Sequence, residues 1–253
     1  MSYTSTDTGL LTGGWLAESV RVTLFSDEIE PASLLLQLVG IPPELVNERP
    51  AQNFRQESTP YKAGQLVINH QPGRLDLFYA PRTPTNMFEA SNSGPLVYVS
   101  ELDAALNEIH HLGAKLCGFF PSVVKIALCP IAIKQTATSS DAAILIKNSF
   151  PGLPILDERD STVTWQVSRK SPARSFKGNL YSIYKLQSIS TQMMPPYVQS
   201  RQPAFSQPMI TVNFARFELE VNTDVPPNID ILPGKIFEEL SLAVKQFLTR
   251  PGQ

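Results

Sequence analysis

Cysteine is almost missing from the 253 residues: only Cys117 and Cys129 occur. Two cysteines build neither a disulfide framework nor a zinc quartet. Both stand in apolar runs and read as small buried hydrophobes. Histidine is nearly as scarce, with His70, His110 and His111. His110 and His111 are neighbours on a helical pattern, so they lack the i, i+4 spacing of a zinc pair, and His70 falls at a hairpin corner. The chain contains no G-x-S-x-G, no G-x-x-x-x-G-K-[ST] and no G-x-G-x-x-G. The nucleophile elbow, the P-loop and the dinucleotide fingerprint are therefore excluded. The N-terminus, "MSYTSTDTGLLTGGW", has neither a basic n-region nor a long apolar h-region, so no signal peptide is expected. The longest apolar stretch, "FFPSVVKIALCPIAI", holds two prolines and Lys125 and falls short of the roughly 18 residues that span a bilayer. The expectation is a cytoplasmic chain with no membrane partner and no cofactor.

Charge is also sparse, at 17% of residues against about 25% in an average domain. Proline is abundant, 22 of 253, where about 5% is usual. A surface poor in charge and rich in Pro, Ser, Thr and Gln fits either a loop-rich monomer or a face covered by a partner. The net charge of −2 steers no particular partner, but it is unevenly spread: residues 1–126 carry −5 and residues 127–253 carry +3. That polarity helps two copies, or a partner, to orient. With 42% apolar residues, the length suffices for one large domain or two small ones.

"SVRVTLFS" alternates Val20, Val22 and Leu24 with polar residues, as a half-buried strand does. "PASLLLQLVG" predicts a helix with Pro31 at its first position and Gly40 at its end. Residues 41–64 read as a long polar, Pro-rich connection. "QLVINHQPGRLDLFYAP" predicts a hairpin around Pro72-Gly73. "SELDAALNEIHHLG" predicts a helix with a Ser100/Asp103 capping box, a buried stripe at Leu102, Ala105, Leu106, Ile109 and Leu112, and a stop at Gly113. The order then partly recurs, with an extra strand in the second half. A β-rich run broken by Pro130 is followed by the capped helix "SSDAAILIKNSF", two strands around a basic loop, the strand "MITVNFARFELEV" and the helix "LPGKIFEELSLAVKQFLT". The fold class expected is α+β: a mostly antiparallel, curved sheet with helices on one face. It would consist of two similarly ordered strand-helix-hairpin-helix halves, 1–120 and 121–253, packed as one continuous domain.

"MITVNFARFELEVNTDVP" carries an irregularity. Ile210, Val212 and Phe214 lie on even positions, whereas Phe217, Leu219 and Val221 lie on odd ones. A hairpin at Ala215-Arg216 would want Gly, Asn or Asp. The remaining reading is a β-bulge, with Ala215 and Arg216 both opposite one partner residue, bending the strand and increasing its twist.

The most distinctive polar segment is "SRKSPARSFKG", residues 168–178. Arg169, Lys170, Arg174 and Lys177 occur with no acid between Val167 and Leu180. Such cations serve phosphate contacts, and Phe176 offers a ring on which a base stacks. Trp165, flanking the loop, adds to the candidate binding set with Arg216, since aromatics beside arginines are enriched at interfaces. No catalytic or metal-ligating residue is assigned. "LDERD" groups Asp157, Glu158 and Asp160, but Arg159 sits among them, and a solvated turn is the simpler reading. Glu218 and Glu220 share one face of a strand, as nuclease carboxylates do, yet no E-x-K lysine follows.

"SVRVTLFS", "SVVKIALCPIAIKQTA" and "FARFELEVNTDVP" with "IFEELSLAVKQFLT" resemble, in this order, the opening strand, the mid-chain strand and the closing strand and helix of a sporadically distributed, uncharacterised bacterial protein family of about this length. The mid-chain strand departs from that family's pattern in having no Arg-Tyr-x-Asn. The resemblance implies no catalytic residues, and it implies a patchy distribution similar to that of mobile-element and phage-conflict genes. The function expected is a non-catalytic binding protein, a subunit of a larger bacterial assembly with a protein partner or further copies of itself. Nucleic-acid binding through residues 168–178 is the alternative, and a metal-dependent hydrolase is the third reading.

Overall fold

The computed structural model describes residues 9–26, 33–82, 98–150, 163–193, 210–224 and 232–250. Among these, ten strands form one sheet in which every pairing is antiparallel. They are β1 (Leu16–Phe25), β2 (Leu45–Arg49), β3 (Phe54–Tyr61), β4 (Gly64–Gln71), β5 (Arg74–Ala80), β6 (Ser100–Glu101), β7 (Lys125–Thr136), β8 (Thr164–Pro172), β9 (Asn179–Met193) and β10 (Ile210–Asp224). Their spatial order is β2-β3-β4-β5-β1-β7-β10-β9-β8, with the short β6 also on β1. Four α-helices accompany them: α1 (Leu34–Val39), α2 (Leu102–Phe119), α3 (Ser139–Ser149) and α4 (Pro233–Thr249).

Alternation puts Val20, Val22 and Leu24 of β1, Leu75 and Leu77 of β5, Ile126 and Leu128 of β7, and Phe217, Leu219 and Val221 of β10 on one face. The stripes Leu102–Leu116 of α2 and Ile236–Leu248 of α4 join those residues in a single buried cluster. This is the helix-bearing face. Its cover is apolar by composition, and each buried Leu or Phe stabilises the fold by about 1.5–3 kcal/mol.

The helix predicted to stop at Gly113 runs six residues further, to Phe119. Gly113 lies mid-helix because α4 crosses there: a Cβ would stand 2.2 Å from Phe237 Cζ. Nor is there a capping box at Ser100. Glu101 occupies the N-cap without a side-chain bond, and Ser100 belongs to β6. A capping box does form at α3, where Thr138 and Asp141 exchange bonds. The hairpin at Pro72-Gly73 forms as expected, Gly73 taking φ 74°. Gly40 ends α1 in the left-handed region, whereas Pro31 lies outside the described residues.

Residues 41–64 are not one connection. They hold β2 and β3, which extend β4–β5 outward, so the part read as a single hairpin is a longer meander. Pro130 does not break β7, which continues through it opposite Val20. On the other side, the β7–β10 ladder omits Cys129 and Pro130 and resumes in the same register, as a residue without an N–H requires.

β10 has no bulge at Ala215-Arg216. Its register with β9 is unbroken from Ile210↔Met193 to Asp224↔Asn179, and its register with β7 does not shift. Phe214 and Phe217 simply lie on opposite faces of a regular strand. The bulge of this sheet is in β1, between Ala17 and Ser19, with Glu18 as the extra residue. The same kind of signal marks it: the buried set passes from Ala17 to Val20 and so changes parity.

Candidate binding face

The face opposite the helices is built from the alternate residues of the same strands. At its centre the β1 bulge turns Glu18 toward β10, and three strands cooperate. Arg216, only 16% exposed, donates from Nε to Glu18 at 2.6 Å and from Nη1 to Glu218 at 3.1 Å and Gln187 at 3.2 Å. Two residues along β10, Glu220 accepts from Arg21 Nη2 at 3.2 Å and from Asn222 at 2.9 Å. Burial works against the charged form of Arg216. The bonds to Glu18 and Glu218 outweigh it and hold the guanidinium more basic than usual. Beneath this network lies Cys129, 2% exposed, whose thiol burial pushes up to about 12. It is therefore a protonated packing residue at neutral pH.

Beside the network the face becomes apolar. Ile133, Ile189 and Phe214 line a depression of about 470 Å³ together with Ala80, Pro81, Thr191, Glu18, Ser19 and Arg216. Ile133 and Phe214 are 5% and 7% exposed, although they point away from the helical layer. Toward the other end, aromatic rings alternate with cations. Arg21 stands 5.9 Å from the Phe78 ring, and Arg74 and Lys125 stand 5.6 and 5.8 Å from Phe25. Asp76 anchors this end, taking a 2.5 Å bond from Thr23 and two bonds from Arg74.

The basic segment is differently placed. Residues 168–172 belong to edge strand β8, and only 173–178 form the turn into β9. Strand alternation separates its cations. Arg169 lies on the helix-bearing face, 5.5 Å from the Tyr184 ring, and Lys170 lies on the opposite face, 5.4 Å from Tyr181. Trp165 packs partly buried against Tyr184 at 5.5 Å. Phe176 is 6% exposed and belongs to the core cluster, so its ring is not offered to solvent. The turn is held by Glu239 of α4, which accepts from the Arg174 and Ser175 amides at 2.5 and 2.8 Å and from the Ser175 hydroxyl. Burial opposes ionisation of Glu239, but these bonds keep its carboxyl below the usual range. Lys177 is an exposed turn residue. Arg216 lies six residue pairs along β9 from Tyr181, about 20 Å away, so it joins no common patch with Lys170.

Glu218 and Glu220 are each held by an arginine. Among the described residues no three His, Cys, Asp or Glu converge as metal ligands. Asp157, Glu158 and Asp160 lie outside the described residues. Sequence reasoning selected Arg216 but missed Glu18, Gln187, Ile133 and Ile189. Of these, only Glu18 left a trace in the sequence, through the parity change in β1. Among the described residues no helix is long and apolar enough to cross a membrane. The chain matches no protein-family model, and no curated protein is significantly similar to it.

Proposed function

We propose that the protein is a non-catalytic binding protein that works as a subunit of a larger bacterial assembly, with another protein or further copies of itself as partner. One observation carries the reading. At the β2 edge of the sheet, Leu36, Ile41, Leu45 and Val46 are 39–58% exposed on adjoining elements. Leu45 and Val46 are consecutive in β2 and point to opposite faces, Val46 toward the side that carries α1, so apolar side chains are exposed on both faces of this sheet edge, the kind of surface that association buries. Pro42, Pro43 and Pro50 flank β2, a placement that keeps this edge strand short. In this reading the chain consists of two similarly ordered halves, 1–120 and 121–253, in one continuous domain. Their first strands, β1 and β7, pair at mid-sheet, and each also pairs with the last strand of its own half's meander. The resemblance to a patchily distributed bacterial family supports an accessory role of the mobile-element or phage-defence kind.

Size-exclusion chromatography with light scattering, followed by affinity capture from the native host, tests the proposal. The expected result is a particle heavier than the 28.0 kDa chain, or a stoichiometric partner. Leu36→Lys with Leu45→Lys should disperse it. A strict monomer that retains nothing refutes the reading.

A further inference from the structure

We infer that the outer edge of β8 pairs with β8 of a second copy of this chain, antiparallel about a two-fold axis at Val167, so that the two sheets join into one. The inference rests on the binding-protein reading and names, for one of its contacts, both the surface and the partner.

Register decides which backbone groups face outward. Two bonds bracket the β8–β9 ladder: the Ser188 N–H donates to the Val163 carbonyl at 2.9 Å, and the Ala173 N–H to the Gly178 carbonyl at 3.0 Å. Between them the register is unbroken from Thr164↔Gln187 to Pro172↔Asn179. Odd residues of β8 therefore bond inward to β9, while Thr164, Gln166, Ser168 and Lys170 aim N–H and C=O away from the sheet. Pro172, which has no N–H, falls on an outward position and removes no bond from that ladder. β8 is last in the strand order, and Thr164, Gln166 and residues 168–172 are exposed, so this edge meets solvent along its length. β2, at the other edge, has five residues; β8 has nine and no bulge, which makes it the longer template for a further strand.

The side chains decide the occupant. Charge on β8 is confined to Arg169 and Lys170, in its C-terminal half, and Thr164–Val167 carry none. An incoming strand must keep cations away from that half. A second β8 running antiparallel does so by symmetry, because it brings its uncharged half there. Outward residues pair with outward residues, so the axis falls on a residue rather than between two. With the axis at Val167, Lys170 faces Thr164 of the second copy, Arg169 faces Trp165, and Gln166 faces Ser168. Residues 164–170 of both copies then form four hydrogen-bonded pairs of two bonds each. The two Arg169 residues stand four positions apart along the seam, about 14 Å, beyond the screening length of about 8 Å at physiological salt. Lys185 of β9, opposite Gln166 on one side and Glu218 on the other, lies about 12 Å from Lys170 of the second copy. An axis at Ser168 would halve the Arg169 separation, and an axis at Gln166 would leave only residues 164–168 paired. So short a seam is weak by itself and adds to an assembly held elsewhere.

The test captures this weak contact in the full chain. Across a non-hydrogen-bonded antiparallel pair the Cα atoms stand about 4.5 Å apart, within disulfide reach. Val167→Cys should therefore cross-link to its own copy in a glutathione redox buffer, read on a non-reducing gel, at least about fivefold faster than Thr164→Cys, whose two copies lie about 20 Å apart along the seam. Cys117 and Cys129 are 1% and 2% exposed and do not compete. Ser168→Pro removes an outward N–H and no bond to β9. It should lower the Val167→Cys rate to that of Thr164→Cys with the circular dichroism spectrum unchanged, and Ser168→Ala should not. Equal rates for Val167→Cys and Thr164→Cys, or a Val167→Cys rate indifferent to Ser168→Pro, overturn the inference. The two proposals fail separately. A heavier wild-type particle or a retained partner, found together with equal cross-linking rates, removes the β8 pair and leaves the binding-protein reading. Selective cross-linking of a chain that runs as a strict monomer and retains no partner does the reverse.

Discussion

Replacing Gly113 by alanine should destabilise this protein, although alanine is the better helix former. Gly113 lies inside α2, so the propensity term alone favours the change by about 1 kcal/mol. The opposing term is steric. A Cβ built there lies 2.2, 2.7 and 2.9 Å from Cζ, Cε1 and Cε2 of Phe237, where ordinary contact begins near 3.4 Å. The ring has little freedom to retreat, because Phe237 is 0% exposed within the core cluster and His110 stacks on it at 6.0 Å. Relief therefore requires α2 and α4 to separate by more than an ångström, which overpacked cores resist at roughly 1–3 kcal/mol. The net expectation is a loss of about 1 kcal/mol, or a fall in the urea midpoint of roughly 0.3–0.5 M at an m-value of 2–3 kcal/mol/M. Urea unfolding followed by circular dichroism measures it. The decisive arm is the double-mutant cycle with Phe237→Leu, which clears the clash. In that background Gly113→Ala should stabilise by about 0.5–1 kcal/mol, giving a coupling of roughly 2 kcal/mol. If Gly113→Ala raises the midpoint in the wild-type background, or the cycle shows no coupling, then the glycine is not there for the helix crossing.

Three further outcomes follow from the geometry. Arg216→Ala leaves Glu18 and Glu218 without their shared cation and should cost about 2 kcal/mol at pH 7, discounted for carboxylates one-third exposed, which the urea midpoint checks. Because the folded-state pKa of Glu239 is depressed, its contribution is present above the unfolded value and fades as pH falls through the folded one; Glu239→Ala should remove no more than about 1 kcal/mol at pH 7, less at pH 3, and speed amide exchange at Arg174 and Ser175. Phe217→Ala should cost about 3–5 kcal/mol, whereas Phe214→Ala, which enlarges a depression already open, should cost roughly half as much by thermal or urea unfolding.

What could be read from the sequence followed one-sided burial. β1, the β4–β5 hairpin, α2 and α4 each bury one face, and their apolar residues fall at period 2 or 3.6. β2 was illegible because all five of its residues are exposed, so no alternation marks it. β3 was obscured differently. It buries Glu57 and Thr59 rather than aliphatic residues, and Glu57 is made tolerable by Arg55 at 2.8 Å. Gly113 was misread because a glycine placed for close approach looks in sequence like a glycine placed for a cap. The basic segment looked like one patch because its cations are close together in sequence. In an edge strand consecutive residues point apart, and the turn beyond them is bonded to Glu239. The network around Arg216 was out of reach because it joins residues 18, 187, 216 and 218 through strand register.

The parity change in β10 was a true signal with the wrong cause attached. Its odd residues stay buried from Ala215 to Thr223, under α3 and α4. Beyond Ala215 the next odd residues are Asn213, half-buried, and Thr211, exposed, so the helical cover has run out. The strand continues, however, because β9 pairs with it for all 15 residues. In that overhang the apolar residues move to the even positions, where Phe214 meets Ile189 of β9 and Ile133 of β7 around the depression. A bulge changes which residues share a face, whereas here the faces are constant and the environment changes along them. A strand with polar Asn213 and Thr211 on the side the helices have left, and a buried phenylalanine on the other, is patterned for two separate surroundings. The first is the protein's own core. Arg216 marks the boundary of the second, being the last even position before the apolar zone and the residue that carries the face's ion-pair network up to its edge.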